Sequence, residues 1–138
     1  MKMLVSDYDD TFYLNDKDVK ININLVNRFM MDNYFVIATG RSYLDYQKKN
    51  KLYNIPSNYL IINHGATILK NDNIIFNVCI DNSIRNNILE DIKLEIAVDY
   101  FLCFKKESTF SLDANEITKI HVKYNTEEEA RKINDELL

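Results

Sequence analysis

The stretch Lys2-Met-Leu-Val-Ser-Asp-Tyr-Asp-Asp-Thr11 decides the fold, because an apolar run leads directly into a cluster of carboxylates. Residues 3–5 predict a buried strand, since the run is too short for a helix. Aspartate is rare in strands and common in turns, so the strand is expected to end near Asp7. In open α/β sheets, ligands bind outside the carboxyl ends of the strands. The stretch therefore predicts a first strand with a functional turn directly after it.

Two carboxylates in this turn are the candidate reactive groups. Side chains alternate along an extended backbone, so Asp7 and Asp9 are expected to point to the same side. Carboxylates held together repel each other, and a divalent cation with oxygen ligands relieves that repulsion. One carboxylate could then act as a nucleophile while its neighbour transfers protons. A solvated acidic turn without chemistry is the alternative interpretation, since a short motif needs a supporting structural context.

The composition is that of an ordinary globular chain. Its 138 residues are 46% hydrophobic and 28% charged, and the net charge of -4 argues against nucleic acid or an anionic membrane surface as a partner. No apolar run approaches the roughly 18 residues of a membrane helix. Residues 1–5 are too short for a signal peptide. Cys79 and Cys103 are expected to be buried thiols, which fits a reducing, cytoplasmic location.

The first half of the chain alternates strands with helices, which predicts a parallel sheet of three strands. Apolar residues repeat at helical spacing before the second strand, and Ser42 can cap the helix after it. The predicted elements are a loop over residues 12–20, a helix over residues 23–33, a strand over residues 34–38, a helix reaching about residue 52, and a strand over residues 59–62.

The second half follows a different pattern of short strands and helices. We expect a hairpin near residues 67–78, and then an α+β module with a helix capped by Asp81 or Asn82 and a last helix opened by a capping box at Thr126 and Glu129. Strands are predicted over residues 96–104 and 117–124. The second of these strands is expected to have a packed face and a solvated face, with His121 on the solvated one.

Three motifs together resemble those of the haloacid dehalogenase (HAD) superfamily of phosphatases. Asp7-Tyr-Asp9-Asp-Thr11 is similar to the first motif, DxDxT, and Val36-Ile-Ala-Thr-Gly-Arg41 is similar to the second. Thr-Gly-Arg followed by Ile62-Asn-His-Gly-Ala66 is similar to the Cof-type, or IIB, branch. The resemblance implies the first, three-stranded parallel portion of a Rossmann-like core in residues 1–78. It also implies part of an α+β cap in residues 79–138.

The resemblance also implies a function and roles for individual residues. The protein would be a magnesium-dependent phosphatase of small phosphorylated metabolites, such as sugar phosphates or nucleotides. Asp7 would be the nucleophile that forms an aspartyl-phosphate, and Asp9 would be the general acid and base. Mg²⁺ would bind the Asp7 carboxylate and the Asp9 carbonyl. Contacts with phosphate or substrate are implied for Thr39, Gly40, Arg41 and Thr11. His64 follows the third strand, and whether it contacts the substrate is open.

Two features of the family have no match in this chain: a lysine and a Gly-Asp-x-x-x-Asp motif after the cap. The 138 residues alone are therefore expected to be a poor phosphatase. In the family, further strands extend the sheet beyond the first strand, so that strand is expected here at an exposed edge that favours self-association. A non-catalytic fragment that binds phosphate or a partner is the alternative function. A receiver domain is disfavoured because Asn63-His64-Gly65 stands where its acceptor aspartate would be.

Overall fold

The computed structural model describes the backbone of residues 1–137 and the side chains of residues 1–135. The chain divides into two compact units, Met1–Val78 and Cys79–Leu138. None of the helices within the described residues is long and apolar enough to cross a membrane.

The first unit is built on a five-stranded sheet with the order β1-β2-β3-β4-β5. Its strands are β1 (Met3–Asp7), β2 (Tyr34–Ala38), β3 (Tyr59–Ile62), β4 (Thr67–Lys70) and β5 (Asn73–Asn77). Strands β1, β2 and β3 are parallel, whereas β4 and β5 form a hairpin that continues the sheet in antiparallel pairing. The predicted three-stranded parallel portion is confirmed, as is the position of β1 at an edge of the sheet.

Two helices connect the parallel strands, α1 (Asp16–Phe29) and α2 (Tyr43–Tyr53). The prediction of a loop up to residue 20 is wrong, because Asn15 caps α1 by accepting hydrogen bonds from two backbone N–H groups of its first turn. Helix α1 also ends before the predicted residue 33. The predicted cap of α2 is confirmed, since the Ser42 side chain accepts a hydrogen bond from the Asp45 N–H.

The core of the first unit contains both aliphatic and aromatic side chains. Its fully or almost fully buried members include Tyr8, Val19, Phe35, Ile37, Tyr46, Ile62 and Leu69. Tyr46 comes from α2 and Tyr8 from the acidic turn after β1, and their rings pack edge to face with centroids 5.3 Å apart. The turn is thus held against α2 by an aromatic contact in the core.

The second unit contains a three-stranded antiparallel sheet in the order β7-β6-β8. Its strands are β6 (Asp99–Phe104), β7 (Glu107–Thr109) and β8 (Lys119–Lys123), and its helices are α3 (Asn82–Asp91) and α4 (Glu127–Leu137). Asp81 caps α3, and Thr126 and Glu129 exchange the two hydrogen bonds of a capping box, each 3.2 Å long. These two predicted helix starts are confirmed.

Several expectations for the second unit are wrong. Strand β6 begins at Asp99 because Leu94–Ile96 forms a 3₁₀ turn, and the short strand β7 was not predicted. Strand β8 has no clear alternation of packed and solvated positions. His121 is half-buried and stacks on Phe101 with ring centroids 4.5 Å apart, so it is not simply solvated. Cys103 is buried as expected, whereas Cys79 is exposed.

Candidate active site

Parallel pairing brings the predicted site segments together at the carboxyl ends of the strands. Asp7 and Ala38 are register partners at the carboxyl ends of β1 and β2. The Thr39 N–H donates to the Ile61 carbonyl and the Asn63 N–H donates to the Arg41 carbonyl, both over 2.9 Å. The segments that follow β1, β2 and β3 therefore meet where an open α/β sheet places its ligands.

The acidic turn is closed by its own backbone. The Phe12 N–H donates to the Asp7 carbonyl over 3.2 Å, and the Tyr13 N–H donates to the Tyr8 carbonyl over 2.8 Å. Asp10 adopts a left-handed conformation with φ of 56°, which aspartate tolerates better than most residues. Asp7 is exposed while Tyr8 is fully buried, so a core residue fixes the turn and leaves the Asp7 carboxylate accessible.

Asp9 and Arg41 form a bidentate ion pair across the ends of β1 and β2. Arg41 Nε donates to Asp9 Oδ2 over 2.8 Å, and Nη2 donates to Oδ1 over 2.7 Å. The guanidinium carbon also lies 5.8 Å from the centre of the Tyr8 ring. The hydrogen bonds to the Asp9 carboxylate raise the pKa of Arg41, against the opposing effect of partial burial. Arg41 thus holds the Asp9 carboxylate in a defined place.

Sequence reasoning missed this ion pair, since it assigned Arg41 only to contacts with phosphate or substrate. A signal was present in the sequence. Arg41 and Asp9 each follow a strand of the predicted parallel sheet, and the carboxyl ends of adjacent parallel strands lie side by side.

Thr39 and Gly40 follow β2 in a crowded part of the site. Thr39 is buried, and its Oγ1 accepts a hydrogen bond from the Arg41 N–H over 3.1 Å. A Cβ atom on Gly40 would lie 2.4 Å from Cε1 and 2.8 Å from Nδ1 of His64. Only glycine leaves room for the imidazole at this position. The structure thus places His64 beside the candidate phosphate-binding segment.

Thr11 lies at the surface of the turn. Its side chain is exposed, and among the described residues its hydroxyl makes no hydrogen bond, so the turn depends on backbone contacts. Thr11 and Asp7 both line a cavity of about 420 Å³ beside β1. Apolar side chains from β1, β2, α1 and the turn form much of its wall.

The oxygen donors of the turn are of the kind that magnesium binds. Within residues 1–135, no group of three or more Asp, Glu, His or Cys side chains is arranged to hold a metal ion. Magnesium, however, is commonly bound through one or two carboxylates, with waters and substrate phosphate as its other ligands. The exposed Asp7 carboxylate and the backbone carbonyl of Asp9 are compatible with that mode of binding.

Comparisons with known proteins point to one family. A family model for haloacid dehalogenase-like hydrolases matches residues 4–138. An uncharacterized protein of Mycoplasma capricolum is 32% identical in an alignment 121 residues long, which covers 78% of this chain and 44% of that protein. A haloacid dehalogenase-like hydrolase from B. subtilis has 26% sequence identity and a TM-score of 0.63, over 75% of this chain and 36% of its own.

A more distant structure shares the fold. A HAD subclass IIB sugar phosphatase has a TM-score of 0.63 at 14% identity, covering 98% of this chain and 63% of its own. The chain spans less than half the length of the Mycoplasma relative and of the B. subtilis structure.

Proposed function

Since the chain belongs to the haloacid dehalogenase-like hydrolases, we propose that it carries the nucleophile and the phosphate-binding segment of a magnesium-dependent phosphatase. The observation that carries the proposal is the bidentate pair between Asp9 and Arg41. This pair joins the DxDxT segment after β1 to the Thr-Gly-Arg segment after β2. Two motifs distant in the sequence are thereby assembled into one polar site beside the exposed Asp7.

The proposed reaction has two displacement steps. A carboxylate oxygen of Asp7 attacks the phosphorus of a phosphate monoester, and the bond to the leaving oxygen breaks. Asp9 gives a proton to that oxygen from its protonated form, in which it no longer pairs with Arg41 as a carboxylate, so that an alcohol and an aspartyl-phosphate result. Asp9 then takes a proton from a water molecule, which attacks the phosphorus and releases inorganic phosphate and free Asp7.

The other residues of the site bind and orient the phosphate. The Thr39 hydroxyl, the Gly40 N–H and the Arg41 guanidinium are proposed as phosphate ligands, with Thr11 at the opposite rim. Arg41 also orients the Asp9 carboxylate through their ion pair. When bound by Asp7 and the Asp9 carbonyl, Mg²⁺ would neutralise charge on the phosphate oxygens.

The proposed substrate is a small phosphorylated metabolite, such as a sugar phosphate or a nucleotide. The fold-level likeness to a HAD subclass IIB sugar phosphatase supports the sugar-phosphate choice. We assign the role of a cap that selects the leaving group to the unit from Cys79 onward. A cytoplasmic location remains part of the proposal.

The test is hydrolysis of p-nitrophenyl phosphate with magnesium, with and without excess chelator. We expect slow hydrolysis that chelator and Asp7→Asn both abolish. Asp10→Asn is the matched control, since Asp10 is an exposed neighbour whose left-handed backbone asparagine also tolerates. Hydrolysis that persists in chelator or in Asp7→Asn would contradict the proposal. Saturable binding of phosphate without hydrolysis would favour the non-catalytic alternative.

We also propose that the chain self-associates through β1. This strand is the outer strand at one edge of its sheet, and Met3 and Val5 are 60% and 54% exposed. An apolar edge with unpaired backbone groups favours pairing with another chain. Sedimentation should show dimers or larger species that Val5→Lys shifts toward monomer. Leu52→Lys is the control, because Leu52 is also exposed but lies in helix α2 and not in an edge strand. A monomer over the whole concentration range would refute this proposal.

A further inference from the structure

The loop after β3 presents an imidazole to the candidate phosphate-binding segment. Asn63, His64 and Gly65 all have positive φ, at 52°, 55° and 94°. The Asn63 N–H donates to the Arg41 carbonyl, which fixes this turn against the segment that follows β2. His64 itself is exposed. An exposed imidazole is thus held in place by an unusual backbone turn and by a hydrogen bond to the site.

Three atoms of the imidazole approach Gly40 closely. An ideal Cβ on Gly40 would lie 2.4 Å from Cε1, 2.8 Å from Nδ1 and 3.1 Å from Nε2 of His64. Because Cβ and the backbone nitrogen are bonded to the same Cα, both ring nitrogens lie within about 6 Å of the Gly40 nitrogen. Two hydrogen bonds of about 2.9 Å to different oxygens of one phosphate can bridge that distance.

We propose that His64 is an anion-contacting residue of this site and donates a ring N–H to a phosphate oxygen bound at Gly40. The inference rests on the proposed function for the identity of the anion. An imidazole carries at least one N–H donor whether it is neutral or protonated, so this contact does not require a change of charge. Gly40 then serves two needs, since its missing side chain admits both the imidazole and the phosphate.

The chain offers a direct test because it contains two histidines. Inorganic phosphate is titrated into the intact chain at constant pH and ionic strength, and the Cε1–H resonances of both imidazoles are followed by NMR. We expect a saturable shift of the His64 resonance. His121, stacked on Phe101 in the second unit, serves as the internal control and should not shift. An unmoved His64 resonance, or equal and non-saturating shifts of both, would overturn the inference.

Variants then separate a phosphate contact from simple packing. His64→Gly removes the ring and suits the positive φ, and we expect about tenfold weaker phosphate binding. His64→Asn, which also tolerates this backbone and keeps an N–H donor, should recover part of the loss. His121→Ala should bind phosphate as the parent chain does. Unchanged phosphate affinity in His64→Gly would show that the ring only packs against Gly40.

The NMR test of His64 can succeed or fail whether or not the chain hydrolyses p-nitrophenyl phosphate. A saturable His64 shift without p-nitrophenyl phosphate hydrolysis would support the anion contact while the phosphatase proposal fails. Hydrolysis by a chain whose His64 resonance does not respond to phosphate would support the phosphatase and refute the role of His64.

Discussion

Strands β1 and β2 have similar apolar sequences and lie side by side, yet their surroundings differ. In β2, Phe35 and Ile37 are fully buried, whereas in β1 Met3 and Val5 are more than half exposed. Both strands carry parts of the candidate site at their carboxyl ends. This difference in exposure shows that an apolar run can predict a strand but not how deeply the strand is buried. Burial depends on which other elements cover the strand. Asp7, the proposed nucleophile, lies at the end of the less buried of the two strands.

Contacts beyond β1 hold the turn at its carboxyl end in place. Tyr8 packs in the core against Tyr46 of α2. Tyr13, in the same turn, donates a hydrogen bond from its hydroxyl to Asp16 over 2.9 Å, and the hydroxyl of Tyr53 at the end of α2 also donates to Asp16. With the ion pair between Asp9 and Arg41, these contacts join the turn after β1 to the segment and the helix that follow β2. The turn is therefore positioned mainly by the β2 side of the unit.

The largest expected effect comes from breaking the ionic contact between the two strand ends. Asp9→Asn removes the charge that pairs with Arg41 and the group proposed to transfer protons. Turnover of p-nitrophenyl phosphate should fall by about 10²–10⁴-fold, the usual loss for a general acid or base. Since Asp9 is partly exposed, circular dichroism and thermal melting should change little. Turnover close to that of the parent chain would contradict the role of Asp9.

Two single substitutions, one in each strand, test the difference in burial between β1 and β2 directly. Ile37→Ala in β2 should lower the free energy of unfolding by about 2–5 kcal/mol, because it leaves a cavity at a fully buried position. Val5→Ala in β1 should lower it by less than about 1 kcal/mol, since Val5 is 54% exposed. Urea unfolding of both variants gives the comparison. Equal losses would show that β1 is as well covered as β2.

The smallest expected effect concerns the tyrosine contacts to Asp16. Hydrogen bonds from the Tyr53 and Tyr13 hydroxyls lower the pKa of Asp16 in the folded chain. A carboxyl whose pKa is lower in the folded state than in the unfolded state stabilises the fold fully when the pH is above its unfolded-state pKa. This contribution is lost as the pH falls through the folded-state pKa. Asp16→Asn should thus be slightly less stable than the parent chain at pH 7.

Thermal melts across pH check this expectation. The difference between Asp16→Asn and the parent chain should shrink once the pH falls below about 4, near the ordinary aspartate pKa. Ser57→Ala, a change in the loop before β3, controls for effects of pH on the rest of the unit. A difference that stays constant from pH 7 to the acidic end would contradict the proposed contribution of the carboxylate.

The elements that were predicted well have strong local signals. Strand β2 is a buried apolar run, and the start of α2 has serine at its cap. The start of α1 was missed because its cap, Asn15, precedes a polar first turn that has no apolar periodicity. Strand β7 was missed because Glu107–Thr109 is short and polar. Helix capping and strand pairing in such short polar segments depend on contacts with neighbouring residues. The spacing of apolar residues along the sequence does not reveal those contacts.

The sequence predicts that the candidate residues lie at neighbouring strand ends, but it does not predict their side-chain contacts. The motifs and the parallel sheet together indicated that Asp7 and Thr39 lie near one another at the strand ends. The ion pair of Arg41 with Asp9 and the approach of His64 to Gly40 depend on side-chain directions in three dimensions. A linear pattern of residue types does not contain that information.

The most direct test of the account is to identify the phosphorylated residue. The chain is incubated with magnesium and a reactive phosphoryl donor such as acetyl phosphate, treated with borohydride to reduce any aspartyl-phosphate to homoserine, and analysed by peptide mass spectrometry. Homoserine is expected at position 7, with none in the Asp7→Asn variant and an unchanged yield in Asp10→Asn. Modification confined to another aspartate, or release of phosphate by the parent chain without modification at Asp7, would contradict the central claim.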